Sequence, residues 1–283
     1  DPAKNLKKIS DKKKVFNIAH YFNSKLSRKL LSKFGNFDFI FARNVIAHVP
    51  NPNEIFNGVN NLLTKEGIFI LEVPHLSNIF KFNQYDNIFH EHVGFHSLKS
   101  IIDLSHNNSL KIFDVEKIDS QGGSLRCYIC KKHSRKTTSK KVFQILNKEK
   151  KLGLFNSKEL KKFKLKILKH INKMKDLINI LRLKNKRISV YGASGKGQAL
   201  LQFCNLNKNK IDCAYDKSKL KQERYTPGTF IKIKKPSELR RKNIDYLLIL
   251  SWNIKNEIIK QEKKFKQEGG KFIIPFPYPR IIN

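Results

Sequence analysis

The stretch RISVYGASGKGQALLQFC, residues 187–204, decides the fold class, because it joins two kinds of apolar periodicity through a glycine-rich turn. The run at its beginning is typical of a buried strand, and the run after Gly197 has the spacing of an amphipathic helix. Gly192, Gly195 and Gly197 lie at the junction. Strand, glycine loop and helix in this order form the repeating unit of an α/β fold with a parallel sheet. We therefore predict that a Rossmann-like unit begins here.

Further strands follow this unit along the chain. Three apolar runs bounded by turn residues are predicted to continue the sheet: IDCAYD (211–216), DYLLILSW (245–252) and GKFIIPFP (270–277). The predicted carboxyl-terminal domain spans residues 187–283. In an open parallel sheet, ligands bind beyond the carboxyl ends of the strands, so the residues that follow each strand are the first candidates for a site.

The first half of the chain also alternates between strand and helix patterns. Its predicted strands are VFNIAHYF (15–22), the beginning of FDFIFARNVIAHV (37–49), which ends in a turn, and IFILEVP (68–74), KIFDVEKID (111–119) and SLRCYICKK (124–132). The helix patterns between them predict a second α/β sheet, with the last two strands extending it. A lysine-rich stretch then predicts helices, with a break at Gly153 and Asn156. The boundaries are residues 1–137 for the first domain and 138–186 for a helical connection.

The formal net charge of +35 is the most unusual property of the composition. The lysines are spread through nearly every helix and loop, which favours a solvated lysine surface over a patch for nucleic acid. No run of about eighteen apolar residues occurs, and the first thirty residues lack a secretory signal, so we predict a soluble cytoplasmic protein without membrane contact. Cys127 and Cys130 form a lone C-x-x-C in a strand-like run, and reduced structural thiols are expected there.

The stretch QYDNIFHEHVGFHSL, residues 84–98, concentrates polar side chains in an apolar setting. A metal site is one interpretation, but His90 and His92 are two residues apart and would point to opposite sides of a strand, whereas zinc histidines on a helix are four apart. Glu91 beside His92 suits general-base chemistry, because a nearby anion raises the basicity of an imidazole. An ordinary turn remains the third interpretation.

Two later stretches have weaker signals. The loop YGASGKGQ is neither a dinucleotide fingerprint nor a Walker A loop, and by itself it fits either a tight structural turn or a phosphate cradle. In RYTPGT, residues 224–229, Pro227 and Gly228 predict a turn, and Arg224 and Tyr225 before it could reach a ligand.

Several segments occur in an order that resembles a known family. They are NVIAHVP, YDNIFHEHVGFHSL, GGSLRCYI, YGASGKGQALL, RYTPGT, LSWN and GGKFIIPFPYPR, and together they run from Asp1 to about Arg280. The chain resembles the S-adenosylmethionine-dependent sugar C-methyltransferases, which act on nucleotide-linked keto-deoxysugars.

The resemblance implies a three-part architecture of a small zinc domain, a class I methyltransferase domain and a carboxyl-terminal Rossmann-like domain that helps hold the nucleotide sugar. The expected cofactor is S-adenosylmethionine, and zinc is expected only in the amino-terminal domain. This sequence matches neither that zinc domain nor the first strand and glycine-rich loop of the methyltransferase sheet. We therefore expect residues 1–137 to be a partial methyltransferase domain and the chain to be a fragment of such an enzyme.

The resemblance also implies site residues. It places Asp1 at the cofactor ribose and His20, Phe22 and Asn44 around the cofactor, with His20 where an acidic residue is usual. His48, Glu91 and His92 match the catalytic cluster. The implied substrate contacts are Phe89, Tyr191, Ser194, Lys196, Arg224 and Tyr225. Phe89 stands where the family often has a tyrosine, so a hydroxyl that could steady an enolate is absent.

C-methylation explains why such residues are needed. A hydrogen on carbon next to a ketone is weakly acidic, so a base must remove it, and polar groups must stabilise the resulting enolate. Histidine titrates near neutral pH, and His92 is the first candidate for the base, with Glu91 orienting it or the sugar. Two other interpretations stay open: an O- or N-methyltransferase of a small metabolite, and a basic binding module or inactive remnant.

Overall fold

The computed structural model describes residues 2–241 and 244–282 and divides them into two compact units. Among the described residues, the first unit contains 2–76 and 93–152, and the second contains 77–92, 153–241 and 244–282. The chain thus leaves the first unit for sixteen residues and returns to it. These sixteen residues, 77–92, include most of the histidine-rich stretch at 84–98.

The elements alternate along the chain as predicted. The helices are α1 (Lys4–Lys12), α2 (Ser24–Phe34), α3 (Pro52–Leu62), α4 (Leu76–Lys81), α5 (Leu98–Asn107), α6 (Lys140–Leu152), α7 (Ser157–Leu183), α8 (Gly195–Phe203), α9 (Lys255–Gln261) and α10 (Lys263–Gln267). The strands are β1 (Phe37–Arg43), β2 (Leu63–Pro74), β3 (Leu110–Ile118), β4 (Ser124–Lys131), β5 (Ile188–Tyr191), β6 (Ala214–Tyr215), β7 (Ile233–Lys234), β8 (Tyr246–Ile249), β9 (Lys271–Ile274) and β10 (Arg280–Ile282). Single turns of 3₁₀ helix occur at Ile46–His48, Tyr85–Asn87 and Trp252–Ile254, and a longer one at Pro236–Arg241.

The sheet of the first unit has the strand order β1-β2-β4-β3. β1 and β2 are parallel, whereas β4 is antiparallel to both of its neighbours, so the predicted strand pair does extend the sheet. Apolar side chains of β2, including Phe69, Leu71 and Val73, are fully buried. They form one core with α3, α5 and α6, which contribute Phe56 and Ile101 among others.

A buried histidine–glutamate contact connects α6 with the rest of this unit. Glu149 of α6 is 1% exposed and lies 2.8 Å from His75 Nε2. The same carboxylate accepts from the backbone N–H of Leu98 at 2.6 Å and of Lys99 at 3.2 Å, at the beginning of α5. Helix N-termini carry unpaired N–H groups and a partial positive charge, so this carboxylate satisfies donors that would otherwise be buried without partners.

Glu149→Ala is therefore expected to lower the free energy of unfolding by about 3 kcal/mol, because it leaves His75 and the start of α5 buried without their acceptor. The matched control is Asp103→Ala on α5 in the same unit. Asp103 forms an exposed i,i+4 pair with Lys99, and its loss should cost about 0.5 kcal/mol or less. Urea unfolding measures the free energy of unfolding of both variants. An equal decrease in both would show that the buried contacts of Glu149 contribute no more than an exposed ion pair.

The sheet of the second unit has the order β10-β9-β8-β5-β6-β7. All neighbours are parallel except β10, which runs antiparallel to β9. The four residues of β5 are buried, as expected for the central strand of a sheet covered on both faces. The prediction of a Rossmann-like α/β fold is confirmed, with its first strand at Ile188–Tyr191.

The compact units do not follow the boundaries expected for a separate connection over 138–186. The predicted break at Gly153 is present, with a positive φ of 71°, and Asn156 caps the next helix. However, α6 packs Val142 and Ile145 into the first core. α7 packs a stripe of apolar residues, among them Met174, into the second core. Each helix has one apolar face, so each is buried against a different sheet rather than spanning between them.

The predicted strand at 15–22 is wrong. In the described part of the chain these residues pair with no strand, and Phe16 and Tyr21 are exposed. An apolar run becomes a strand only where a neighbouring strand accepts its hydrogen bonds, and none of the described strands does so here.

Cys127 and Cys130 are buried free thiols in β4, which confirms the structural interpretation. Within residues 2–241 and 244–282, none of the helices combines the length and the apolar composition needed to cross a membrane.

Candidate functional site

The second unit contains a cleft of about 670 Å³ beside the beginning of α8. One wall is the segment after the turn Tyr85–Asn87, and the opposite wall is α8 itself. The lining residues are Ile88, Phe89, His90, Glu91, Gly195, Gln198, Ala199, Gln202, Phe203 and Pro227. Apolar walls with a few amide, imidazole and carboxylate groups are typical of sites for small organic ligands.

His92 is held in a defined orientation within this segment. Its Nδ1 lies 2.9 Å from the backbone oxygen of Asn87, and a carbonyl oxygen can only accept, so Nδ1 carries the proton. In the neutral imidazole the lone pair is then on Nε2, which is the form a general base needs. The ring also packs against Phe89, with centroids 4.1 Å apart. The Asn87 carbonyl therefore sets the tautomer of His92 and orients its ring, whereas the sequence analysis expected Glu91 to orient it.

Phe89 packs against the first residue of α8. A Cβ added at Gly195 would lie 3.3 Å from the Phe89 ring, so the helix and the histidine-bearing segment approach each other closely because this position is glycine. Glu91 is exposed and lines the cleft. Two of the predicted residues thus line the cleft, and a third, His92, lies on the same short segment.

The glycine loop before α8 is largely occupied by the protein's own groups. Gly192 has φ of +90°, and a Cβ there would lie 2.3 Å from Ser251 Oγ. Ser194 caps α8 by accepting from the Gly197 N–H, and Asp216 accepts from the Ala193 N–H at 2.7 Å. Much of the loop's composition therefore follows from packing and capping, which supports the structural-turn interpretation.

The segment RYTPGT forms the predicted turn. The hydroxyls of Thr226 and Thr229 are 2.7 Å apart, and Gly228 has a φ of +71°. The Pro227 oxygen accepts from Gln202 Nε2 at 3.3 Å, which fixes the turn on α8 and makes Pro227 part of the cleft wall. Arg224 and Tyr225, the predicted ligand contacts, are exposed at the start of this turn.

Tyr191 is placed differently from the other predicted substrate residues. It is buried in the core, and its hydroxyl donates to buried Glu262 at 3.2 Å. A core position accounts for this tyrosine by itself. Lys196 lies in the first turn of α8, where burial lowers its pKa and the carboxylate of Asp86 opposes that effect.

The predicted cofactor residues lie in the first unit, with one exception. Asp1 lies outside the described residues. His20 and Phe22 line a mostly apolar cleft of about 350 Å³, together with Phe16, Asn17, Ile18, Leu26, Leu30, Phe34 and Phe37. Asn44 follows β1 with φ of 52°, and its N–H donates to the Glu72 carbonyl. An apolar cleft with aromatic walls fits a planar ring such as adenine.

His48 ends the 3₁₀ turn Ile46–His48 in the first unit and is exposed. The turn is fixed by a segment distant in sequence, since the Ala47 oxygen accepts from the N–H groups of Val93 at 2.8 Å and Gly94 at 3.1 Å. Glu91 and His92 belong to the second unit.

Sequence analysis missed several residues of this region. Asp86 is buried beside Lys196 and accepts from Trp252 Nε1 at 2.6 Å, although the two residues are 166 positions apart. Gln198 and Gln202 line the cleft on successive turns of α8. The one available signal was the position of Asp86 next to the histidine cluster. Among the described residues, no group of three or more His, Cys, Asp or Glu side chains could hold a metal ion.

Comparison with known proteins shows the family of the chain. Residues 119–277 match the family described as "C-methyltransferase C-terminal domain", and residues 1–115 match "Methyltransferase domain". The chain is 33% identical to C-methyltransferase NovU of Streptomyces niveus over 283 residues, which is 100% of this chain and 67% of that protein.

A solved structure from Thermotoga maritima is also similar. It is described as a SAM-dependent methyltransferase and possible histamine N-methyltransferase, and it shares 16% identity with this chain. The similarity covers 47% of this chain and 70% of that one, with a TM-score of 0.35. The first family match alone covers more than half of the chain. From these matches, the chain belongs to the C-methyltransferase family and is an S-adenosylmethionine-dependent methyltransferase.

Proposed function

We propose that this C-methyltransferase acts on a nucleotide-linked keto-deoxysugar and that His92 is the base that prepares the sugar carbon for methylation. The observation that carries the proposal is the hydrogen bond from His92 Nδ1 to the Asn87 oxygen at 2.9 Å. It fixes the tautomer in which Nε2 can accept a proton. The cleft beside it has the size of a small-molecule site.

The base acts on a hydrogen of the carbon next to the sugar ketone. His92 Nε2 accepts this proton, and the electron pair of the C–H bond becomes the enolate of the sugar. The apolar walls formed by Ile88, Phe89 and Phe203 exclude water, which would otherwise return a proton to the enolate carbon. Phe89 has no hydroxyl, so the polar groups left to bind the sugar or its enolate are those of His90, Glu91 and the two glutamines of α8.

The nucleoside diphosphate attached to the sugar carries the negative charge of the proposed substrate. Gly195, the first residue of α8, lines the cleft, and Lys196 follows it. The beginning of this helix therefore offers a cation and a partial positive charge near the cleft, which suits a diphosphate. Arg224 and Tyr225 are exposed at the turn whose Pro227 forms the cleft wall, so they are candidates for the outer part of the nucleotide.

S-adenosylmethionine supplies an electrophilic methyl group when it is bound. In the first unit, His20 and Phe22 would contact its adenine in the apolar cleft, and Asn44 at the end of β1 would contact its polar part. His48 is a second candidate for proton transfer. Asp1, which lies outside the described residues, stays a proposed ribose contact.

Solvent exchange tests the base directly. The protein should catalyse incorporation of deuterium from D₂O next to the ketone of a thymidine-diphosphate keto-deoxysugar, detected by mass spectrometry. With S-adenosylmethionine added, the product should carry a methyl group on that carbon. An O- or N-methylated product, or methylation of a carbon that is not next to the ketone, would contradict the proposal.

Lys196→Met should weaken binding of thymidine diphosphate glucose at least tenfold, because a charge-assisted contact to a phosphate contributes about 1.5–3 kcal/mol. Binding of S-adenosylhomocysteine should not change. The control variant Lys219→Met removes the same charge from an exposed position of the same unit. Isothermal titration calorimetry measures the affinity of the wild type and both variants for thymidine diphosphate glucose. An equal loss of affinity in both variants would indicate non-specific attraction to the lysine-rich surface.

A further inference from the structure

A buried carboxyl group lies beside the proposed diphosphate contact. Asp86 is in the 3₁₀ turn that leads into the cleft wall and is 1% exposed. Its Oδ2 accepts from the indole N–H of Trp252 at 2.6 Å. Its Oδ1 is buried and has no hydrogen-bond partner in the described part of the chain. A buried carboxylate oxygen without a donor is costly, so this arrangement is not the one that stability alone would favour.

Burial raises the pKa of Asp86 to about 6 and outweighs several groups that favour the ionised form. These groups are the indole of Trp252, the charge of Lys196, and the backbone N–H groups of Asp86 and Asn87. Tyr85, which precedes Asp86, is kept neutral because burial raises its own pKa. Asp86 therefore changes its charge close to neutral pH, next to the lysine that would meet the diphosphate.

Asparagine at this position would accept the indole hydrogen bond equally well. What the carboxyl adds is a negative charge that competes with any other anion for Lys196. An anion that arrives at the beginning of α8 adds negative charge near Asp86, and nearby negative charge favours the protonated carboxyl. Binding and protonation are then coupled, and the coupling acts equally in both directions.

Building on the proposed function, we propose that Asp86 is a positioning residue for the diphosphate: it binds the indole of Trp252, attracts Lys196 next to cleft-lining Gly195, and takes up a proton when the nucleotide sugar binds. The proton taken up neutralises Asp86, so the full charge of Lys196 becomes available to the diphosphate. Release of the proton at higher pH restores the competing carboxylate and weakens binding.

The first test is calorimetric titration with thymidine diphosphate glucose, whose sugar-linked diphosphate does not itself titrate between pH 5 and 8. If binding raises the proton affinity of Asp86 about tenfold, wild-type affinity falls about tenfold from pH 5 to pH 8. At pH 6.5 the heat should depend on the ionisation enthalpy of the buffer, corresponding to uptake of about half a proton.

Asp86→Asn should bind more tightly than wild type at pH 8, by about tenfold, and should show neither the proton uptake nor that part of the pH dependence. The matched control is Asp103→Asn, which makes the same change of net charge at an exposed position of α5. This control should bind like the wild type. Any pH dependence of binding that comes from His92 or another group would persist in Asp86→Asn. The variant therefore separates the contribution of Asp86 from theirs.

A second measurement needs no variant. Trp252 is the only tryptophan of the chain, and its indole touches Asp86, so its fluorescence should show a transition with a midpoint near pH 6. Thymidine diphosphate glucose should move this midpoint to higher pH, whereas glucose should not. The wild-type results therefore decide the matter even if Asp86→Asn does not fold.

The outcomes separate this inference from the proposed function. Binding with proton uptake that is lost in Asp86→Asn supports both. Nucleotide-sugar binding without proton uptake and without a shift of the fluorescence midpoint overturns the role of Asp86 and leaves the substrate class standing. Failure of the wild type to bind the nucleotide sugar at any pH overturns both.

Discussion

Replacing His92 with alanine is expected to lower kcat for methyl transfer by about 10²–10⁴-fold, which is the usual contribution of a general base. KM for the nucleotide sugar should change little, because the proposed binding groups, Lys196 and the cleft walls, remain. Steady-state kinetics with methyl-labelled S-adenosylmethionine measure the effect. Deuterium exchange next to the sugar ketone should fall in parallel, since the same proton transfer limits both reactions.

His90→Ala is the matched control for this prediction. His90 lies two residues earlier on the same segment and is exposed at the cleft, so its loss should alter KM by a few-fold at most. A His92→Ala protein that keeps its full kcat would remove His92 from the mechanism and leave His48 as the remaining histidine candidate.

The second large effect is expected at Gly192. An alanine there would place Cβ 2.3 Å from Ser251 Oγ and 3.1 Å from Ser251 Cβ, at a residue whose φ is +90°. A side chain at positive φ costs roughly 1–2 kcal/mol, and overpacking adds about 1–3 kcal/mol. Gly192→Ala should therefore lower the free energy of unfolding by roughly 3 kcal/mol, as measured by urea denaturation.

Gly269→Ala separates the two contributions. Gly269 has the same φ of +90° in the same unit, but nothing lies within 4 Å of its added Cβ. Gly269→Ala should therefore lower the free energy of unfolding only by the backbone cost of about 1–2 kcal/mol. If both variants lose the same amount, the close approach of Ser251 to the glycine loop is unimportant.

Local patterns predicted much of the fold. The strand, glycine turn and helix of residues 187–204 appear as β5, the loop at Gly192 and α8. The end of α2 was also predictable, because Gly35 adopts φ of +74° after the last helical residue. These features depend on periodicity, capping and glycine geometry, which involve residues close together in sequence.

The sequence prediction was wrong where an element depends on a packing or pairing partner elsewhere in the chain. The apolar pattern of residues 15–22 is that of a strand, but strand formation depends on a neighbour elsewhere in the chain. The lysine-rich helices were likewise expected to form a connection, yet α6 and α7 are buried in different cores. Their apolar stripes were visible in the sequence, but not the sheet that each stripe would cover.

The sequence by itself determined the α/β class and the position of the glycine loop. It also provided the candidate site residues of the histidine-bearing segment. Only the tertiary structure decided how these side chains are held. The tautomer of His92 depends on a backbone oxygen, which every residue type possesses and which therefore leaves no trace in sequence. The Asp86–Trp252 contact joins residues 166 positions apart. Its environment, and with it the unusual proton affinity of Asp86, arises from burial, and burial exists only when the chain has folded.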